Sequence, residues 1–174
     1  ITSHAAEDQA LRIFVAGDKS SVGKSSICLG LLGSLIDIGY PPSSLAYIKP
    51  ATQSESTQLI QVYCQEMGIK CVPIGPLVYY RGFTRAFLAG QIPESTEELL
   101  ATCGAAVDRV ARNKQVVLID GVGFPAVGSI CGTSNASVAK ACGYPTNTTT
   151  APKQARKPMG VLLVGGSGVG GAVD

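Results

Sequence analysis

Three stretches of this sequence carry residues able to act on a phosphate. The first is Gly17-Asp18-Lys19-Ser20-Ser21-Val22-Gly23-Lys24-Ser25, continued by Ser26. Glycine beside lysine and a hydroxyl, set between an apolar run and a helix-forming run, is the pattern of a loop that cradles polyphosphate. Successive backbone N–H groups and the start of the following helix aim at the anion. The Lys24 ammonium reaches its outer phosphates, and the Ser25 hydroxyl ligates Mg2+. Gly17, Lys19, Ser20, Ser21, Val22, Gly23, Lys24, Ser25 and Ser26 are therefore the candidate nucleotide-binding residues, with ATP and Mg2+ as the expected cofactors.

The spacing departs from the common G-x-x-x-x-G-K-[ST] form. Asp18 stands where that form has its first glycine, and Gly17 comes one residue early, so the loop reads G-x-x-x-x-x-G-K-S. Read from Lys19, it also resembles the deviant form K-G-G-x-G-K-[ST]. The second chemical stretch is Lys49-Pro50, directly after the apolar run Leu45–Ile48. The third is Gln115-Val116-Val117-Leu118-Ile119-Asp120, an apolar run ending in an acid, the form of a strand that delivers a carboxylate to Mg2+ or its water shell. Arg81 and Arg85 share a neighbourhood on a short predicted helix and read as solvated charges ahead of substrate clamps. His4 falls in a polar N-terminal stretch and is given no role.

The elements that must position these groups follow from periodicity and punctuation. Arg12–Ala16 predicts a buried strand. Ile27, Leu29, Leu31, Leu32, Leu35 and Ile36 predict a helix with a broad apolar face, stopped by Gly39 and Pro41-Pro42. Leu45–Ile48 predicts a second strand, and 55–66 a helix with Leu59, Ile60, Val62, Tyr63 and Met67 as its apolar positions. Residues 69–77 predict an extended piece interrupted by prolines, at an edge or in a loop. Ser95-Thr96-Glu97-Glu98 is a capping box opening a helix to about residue 113. Residues 134–142 predict a short helix, about 144–159 a flexible insertion, and Val161–Val164 a last strand before the glycine-rich 165–171, read as a tight turn ahead of a second phosphate contact. Alternating strands and helices predict an α/β fold: a mostly parallel sheet flanked by helices in three layers, with right-handed crossovers. In such sheets ligands bind beyond the carboxyl ends of the strands, where the loop, Lys49 and Asp120 all fall.

Composition narrows the setting. With 174 residues, 45% hydrophobic and 15% charged, the chain supports one domain with a sizeable core. Residues 1–10 read as a leader and 11–174 as that domain, which reads as cut short at its C-terminus. A net charge of +2 argues against nucleic acid or an anionic membrane as partner. No apolar run approaches the roughly 20 residues of a membrane span. The six cysteines contain no C-x-x-C pair, which fits buried, reduced thiols in a cytoplasmic protein, or one in an organelle of a eukaryotic cell.

Together, the stretched loop Gly17–Ser25, Lys49-Pro50, Asp120-Gly121-Val122-Gly123 and the strand Val161–Val164 with its glycine loop resemble dethiobiotin synthetases within the P-loop ATPases. The resemblance spans about residues 12–174. It implies a homodimeric, ATP- and Mg2+-dependent ligase of biotin biosynthesis that converts a diamine, 7,8-diaminopelargonate, and CO2 into a cyclic urea. Lys24 and Lys49 would be its catalytic lysines, and Ser25, Asp120 and Glu55 its metal-binding residues. The chain departs from the family at Ser21, where an acid is usual, at Asp120, where Glu is usual, and at the acid opening the second helix, for which Glu55 or the non-acidic Thr57 are the candidates. The deviant reading through Lys19 resembles instead the partition and cell-division-site ATPases, which are nucleotide-switched dimers. A third reading is a catalytically silent ATP-binding relative.

Overall fold

The structure is a computed structural model describing residues 10–53, 58–123, 125–145, 156–157 and 159–166. Its centre is a parallel five-stranded sheet in the order β4-β2-β6-β1-β9, formed by β1 (Leu11–Gly17), β2 (Leu45–Ile48), β4 (Lys70–Val72), β6 (Val116–Asp120) and β9 (Gly160–Val164). A parallel sheet covered on both faces needs strands that are apolar at nearly every position. That requirement is met by β2 and β6, which are buried throughout.

Alternate side chains of these strands serve two cores. Val15, Leu45, Tyr47, Val116 and Leu118 pack against α1 (Lys24–Asp37) and α2 (Leu59–Met67), chiefly through Cys28, Leu32, Ile60 and Cys64. Phe14, Ala46, Ile48, Val117 and Ile119 face α4 (Thr96–Ala111) and α6 (Asn135–Ala141), meeting Cys103, Val107, Val110 and Val138. The result is the expected three-layer α/β architecture. The capping box that opens α4 is present: Ser95 Oγ accepts from the Glu98 amide at 3.2 Å, and Glu98 Oε2 accepts from the Ser95 amide at 2.8 Å.

Several expectations are corrected in detail. The broad apolar face of α1 is present, with Leu32 and Cys28 buried and Leu29, Leu31, Leu35 and Ile36 packed against the core, and only Ile27 of the expected residues faces outward. On α2, Leu59, Val62 and Met67 are exposed while Ile60 and Cys64 point inward, so apolar type alone misassigned that face. The described part of α2 starts at Leu59; residues 54–57, which include Glu55, lie outside the described residues. The extended piece at 69–77 divides around Pro73 and Pro76 into the edge strand β4 and β5 (Leu77–Val78). There β5 pairs with β3 (Ala51–Thr52) in a separate two-stranded sheet. The short helices are α3 (Phe83–Leu88) and α5 (Pro125–Ile130), the second unpredicted. The expected insertion is not wholly irregular, since β7 (Tyr144–Pro145) pairs antiparallel with β8 (Arg156–Lys157). At the far edge β9 is unexpectedly open, with Val161 60% and Leu163 54% exposed.

Candidate nucleotide site

The strand order decides what meets at the site. Because β6 lies between β1 and β2, its last residue, Asp120, stands between the loop leaving β1 and the Lys49-Pro50 leaving β2. The registers Val15 with Asp120 and Ile48 with Ile119 set these ends level. Asp120 is fully buried. Its Oδ2 accepts from Ser25 Oγ at 2.7 Å and from Tyr47 OH at 2.7 Å, and lies 3.5 Å from Lys49 Nζ. Its Oδ1 is buried and has no hydrogen-bond partner among the described residues.

Lys24, the first residue of α1, is 5% exposed, and its Nζ lies 3.4 Å from the Lys19 carbonyl. Burial holds its pKa below the ordinary 10.5, partly offset by attraction to Asp120; the Lys49 charge lowers it further. Tyr47 is pushed strongly upward, first by burial and then by the Asp120 carboxylate, so its phenol serves as a neutral donor. The Cys28 thiol, one turn beyond Lys24, is raised by burial and is no nucleophile.

The loop reaches α1 through two left-handed residues, Ser21 at φ 58° and Gly23 at φ 92°. Glycine carries no penalty there, whereas serine stores strain of the kind found at ligand-binding loops. Ser20, Ser21, Gly23, Lys24, Ser25 and Ser26 line a 570 Å³ cleft together with Lys49, Thr52, Gln53, Gln58 and Gly123. Gly17 and Val22 pack behind the loop, where a Cβ on Gly17 would come within 2.6 Å of Val22 Cγ2. Lys19 is exposed. Asp18 Oδ2 accepts from the Gly166 amide at 3.2 Å, so the described start of the glycine-rich segment braces the loop; 167–171 lie outside the described residues.

Thus the sheet gathers Lys24, Ser25, Lys49 and Asp120, while Arg81 and Arg85 border a neighbouring cavity. Sequence reasoning missed Tyr47, Thr52 and Gln58. Tyr47 carried a signal: a phenol within a fully apolar parallel strand needs a buried acceptor, and Asp120 was the acid at hand. Among the described residues no cluster of three or more His, Cys, Asp or Glu could hold a metal. The donors present, one hydroxyl and one carboxylate with an unpartnered oxygen, instead fit Mg2+, which takes few protein ligands and completes its shell with water and phosphate.

A three-layer parallel α/β fold with a glycine-lysine-serine loop entering a helix defines a P-loop NTPase. Residues 11–146 match the AAA domain family, and the chain belongs to it. Among solved structures, the chain is similar to the signal recognition particle receptor FtsY from Elizabethkingia anophelis in complex with GDP, at 15% identity and a TM-score of 0.48. That match covers 77% of this chain but 36% of the receptor. No curated protein sequence matches the chain. Among the described residues no helix is long and apolar enough to cross a membrane.

Proposed function

We propose that this protein is an ATP- and Mg2+-dependent ligase of the dethiobiotin synthetase type, acting by phosphoryl transfer to a carbamate. The observation that carries the reading is Lys49, buried to 8% exposure, lining the same cleft as the phosphate loop and 3.5 Å from Asp120. A P-loop protein that only binds or hydrolyses nucleotide has Lys24 for the phosphates. A second buried lysine lining the same cleft, its charge balanced by Asp120, suits a second anion beside the phosphates.

In this reading an amine of the diamine takes up CO2 as a carbamate. A carbamate oxygen attacks the γ-phosphorus of ATP and ADP leaves. The second amine then attacks the carbamoyl carbon, and phosphate departs as the cyclic urea closes. Lys24 holds the outer phosphates and Lys49 balances charge shared by carbamate and phosphoryl group. Ser25 and Asp120 would hold Mg2+, which supplies charge neutralisation at the phosphates. Tyr47 fixes the Asp120 carboxylate from below by its hydrogen bond. Catalysis of this kind is positioning and electrostatic stabilisation. The test is phosphate release from ATP and Mg2+ with bicarbonate, with and without 7,8-diaminopelargonate. Diamine-dependent turnover is expected, and its absence in the full-length protein removes the ligase reading.

One observation favours a nucleotide-switched dimer as the second reading: Lys19 is exposed at the lip of the loop, where a lysine reaching a partner's nucleotide has to stand. Lys19→Ala then abolishes nucleotide-dependent dimerisation, whereas the ligase reading leaves dimerisation unaffected by that change.

A further inference from the structure

The turn between α2 and β4 brings two thiols together. Gly68, just past the end of α2, takes the left-handed conformation at φ 72°, and the Ile69 amide donates to the Cys64 carbonyl at 2.8 Å. Glycine holds that conformation without penalty, so β4 starts beside the last turn of the helix. Successive side chains of β4 then point to opposite faces of the sheet. Val72 packs with the core beneath α4, whereas Cys71, level with Tyr47 of β2, packs with the core beneath α1 and α2. There Cys71 meets Cys64, and the two thiols share a hydrogen bond. Cys71 is half-buried, while Cys64 and the other four cysteines are buried. The hydrogen bond from Cys64 lowers the Cys71 pKa, against the opposing effect of burial, and raises that of Cys64. Burial raises Cys28, Cys103 and Cys131.

We propose that Cys71 and Cys64 form an oxidation site, Cys71 reacting with a peroxide and Cys64 resolving the product, and that their disulfide locks α2 to β4. The site is independent of the ligase reading. Oxidation selects a thiol with thiolate character, access to solvent and a resolving neighbour, and Cys71 combines all three. Its thiolate attacks one oxygen of hydrogen peroxide; the O–O bond breaks, the departing hydroxide takes up a proton as water, and Cys71 becomes a sulfenic acid. The Cys64 sulfur then attacks the Cys71 sulfur. The S–O bond breaks, and the hydroxide leaves with the Cys64 proton as a second water. Two thiols thus give up two electrons and two protons, and one peroxide becomes two waters. Both locked elements border the nucleotide cleft. Gln58, the residue before α2, lines it, and the carbonyl of Val72, next after Cys71, accepts from the Lys49 amide at 2.9 Å. The disulfide therefore ties the strand that supports Lys49 to the helix that carries Gln58.

The test treats the reduced full chain with hydrogen peroxide, counts free thiols after denaturation, and maps unreduced peptides by mass spectrometry. The wild type, with six cysteines, is expected to lose two free thiols to one Cys64–Cys71 crosslink that dithiothreitol reverses. Closing a loop of about eight residues between groups already in contact is expected to raise the melting midpoint by roughly 5–10 °C. C71S changes only a half-buried position, and it is expected to keep all its remaining thiols and its melting midpoint under the same treatment. C64A is expected to stop at the Cys71 sulfenic acid, captured by dimedone; if C64A does not fold, the wild-type peptide map and C71S decide alone. Retention of all thiols by the wild type, a crosslink between other cysteines, thiol loss in C71S equal to that of the wild type, or an oxidised wild type that melts no higher than the reduced one overturns the proposal.

Discussion

Replacing Asp120 tests the charge arrangement of the site most directly. Its Oδ2 takes two hydroxyl donors and faces the Lys49 ammonium at 3.5 Å. At an effective dielectric of about 20, that pair alone attracts by roughly 4–5 kcal/mol before desolvation is subtracted. Asp120→Ala leaves Lys49 and Lys24 facing one another as buried cations and strips Tyr47 OH, fully buried, of its acceptor. Removing one partner of a buried pair costs about 3–5 kcal/mol, which for a chain of this size lowers the melting midpoint by roughly 6–20 °C. Asp120→Asn keeps an acceptor oxygen and the side-chain shape, so its loss is smaller. It removes the anion beside Lys24 and Lys49, so ATP binding without Mg2+ is retained or strengthened while Mg2+ stimulation of turnover disappears. Urea denaturation at neutral pH measures the first effect, and nucleotide titration with and without Mg2+ the second. Adding Lys49→Met to Asp120→Ala should recover stability, since the double change leaves one fewer uncompensated cation. An alanine variant as stable as the wild type, or an asparagine variant with full Mg2+-dependent turnover, refutes the reasoning.

The other predictions are shorter. Lys24→Ala weakens ATP binding, and unchanged affinity in a direct titration removes the phosphate-loop reading. Because burial lowers the Lys24 pKa below 10.5 in the native state, the unfolded chain binds more protons between that lowered value and 10.5. The Lys24 contribution to stability therefore rises with pH through this window. ATP binding, which favours the ammonium, should take up protons at pH values within this window, read from calorimetry in buffers of different ionisation enthalpy. Gly75→Ala would set a Cβ 2.6 Å from Pro50 Cα, with the Lys49 carbonyl also in the way. Neither backbone atom can yield alone, so Lys49 is displaced, and turnover falls more than nucleotide affinity. Ser95→Ala removes the helix cap on α4 and costs about 1 kcal/mol, a shift of roughly 2–4 °C in the melting midpoint.

How much of this was legible in the sequence depended on how local each cause was. The loop, its following helix, the capping box and the strands β2 and β6 are produced by neighbours in the chain, and their residue types announced them. The two faces of α2 were misread because Leu59 and Val62 are apolar by type yet point to solvent, which only the position of the sheet decides. Strand order was silent as well: nothing in Val116–Asp120 says that it lies between β1 and β2, although that placement alone brings Asp120 to Ser25, Tyr47 and Lys49.

The same distinction separates the halves of the site. Lys24, Ser25, Lys49 and Asp120 hang from the ends of adjacent strands and the first turn of a helix, elements whose geometry the fold imposes, so a motif suffices to find them. Arg81 and Arg85 belong to a connecting segment between β5 and α4, whose charges carry no periodic signature and read as ordinary solvated side chains. Only the fold shows that they line a cavity whose Gln53 wall is shared with the cleft. A sheet whose strand ends gather Lys24, Ser25, Lys49 and Asp120, with connecting segments lining the space beside them, is an arrangement that lets one fold serve many substrates. Exchanging Tyr79–Arg85 with the phosphate loop left untouched tests whether this segment selects the substrate, and unchanged specificity at unchanged nucleotide affinity rules it out.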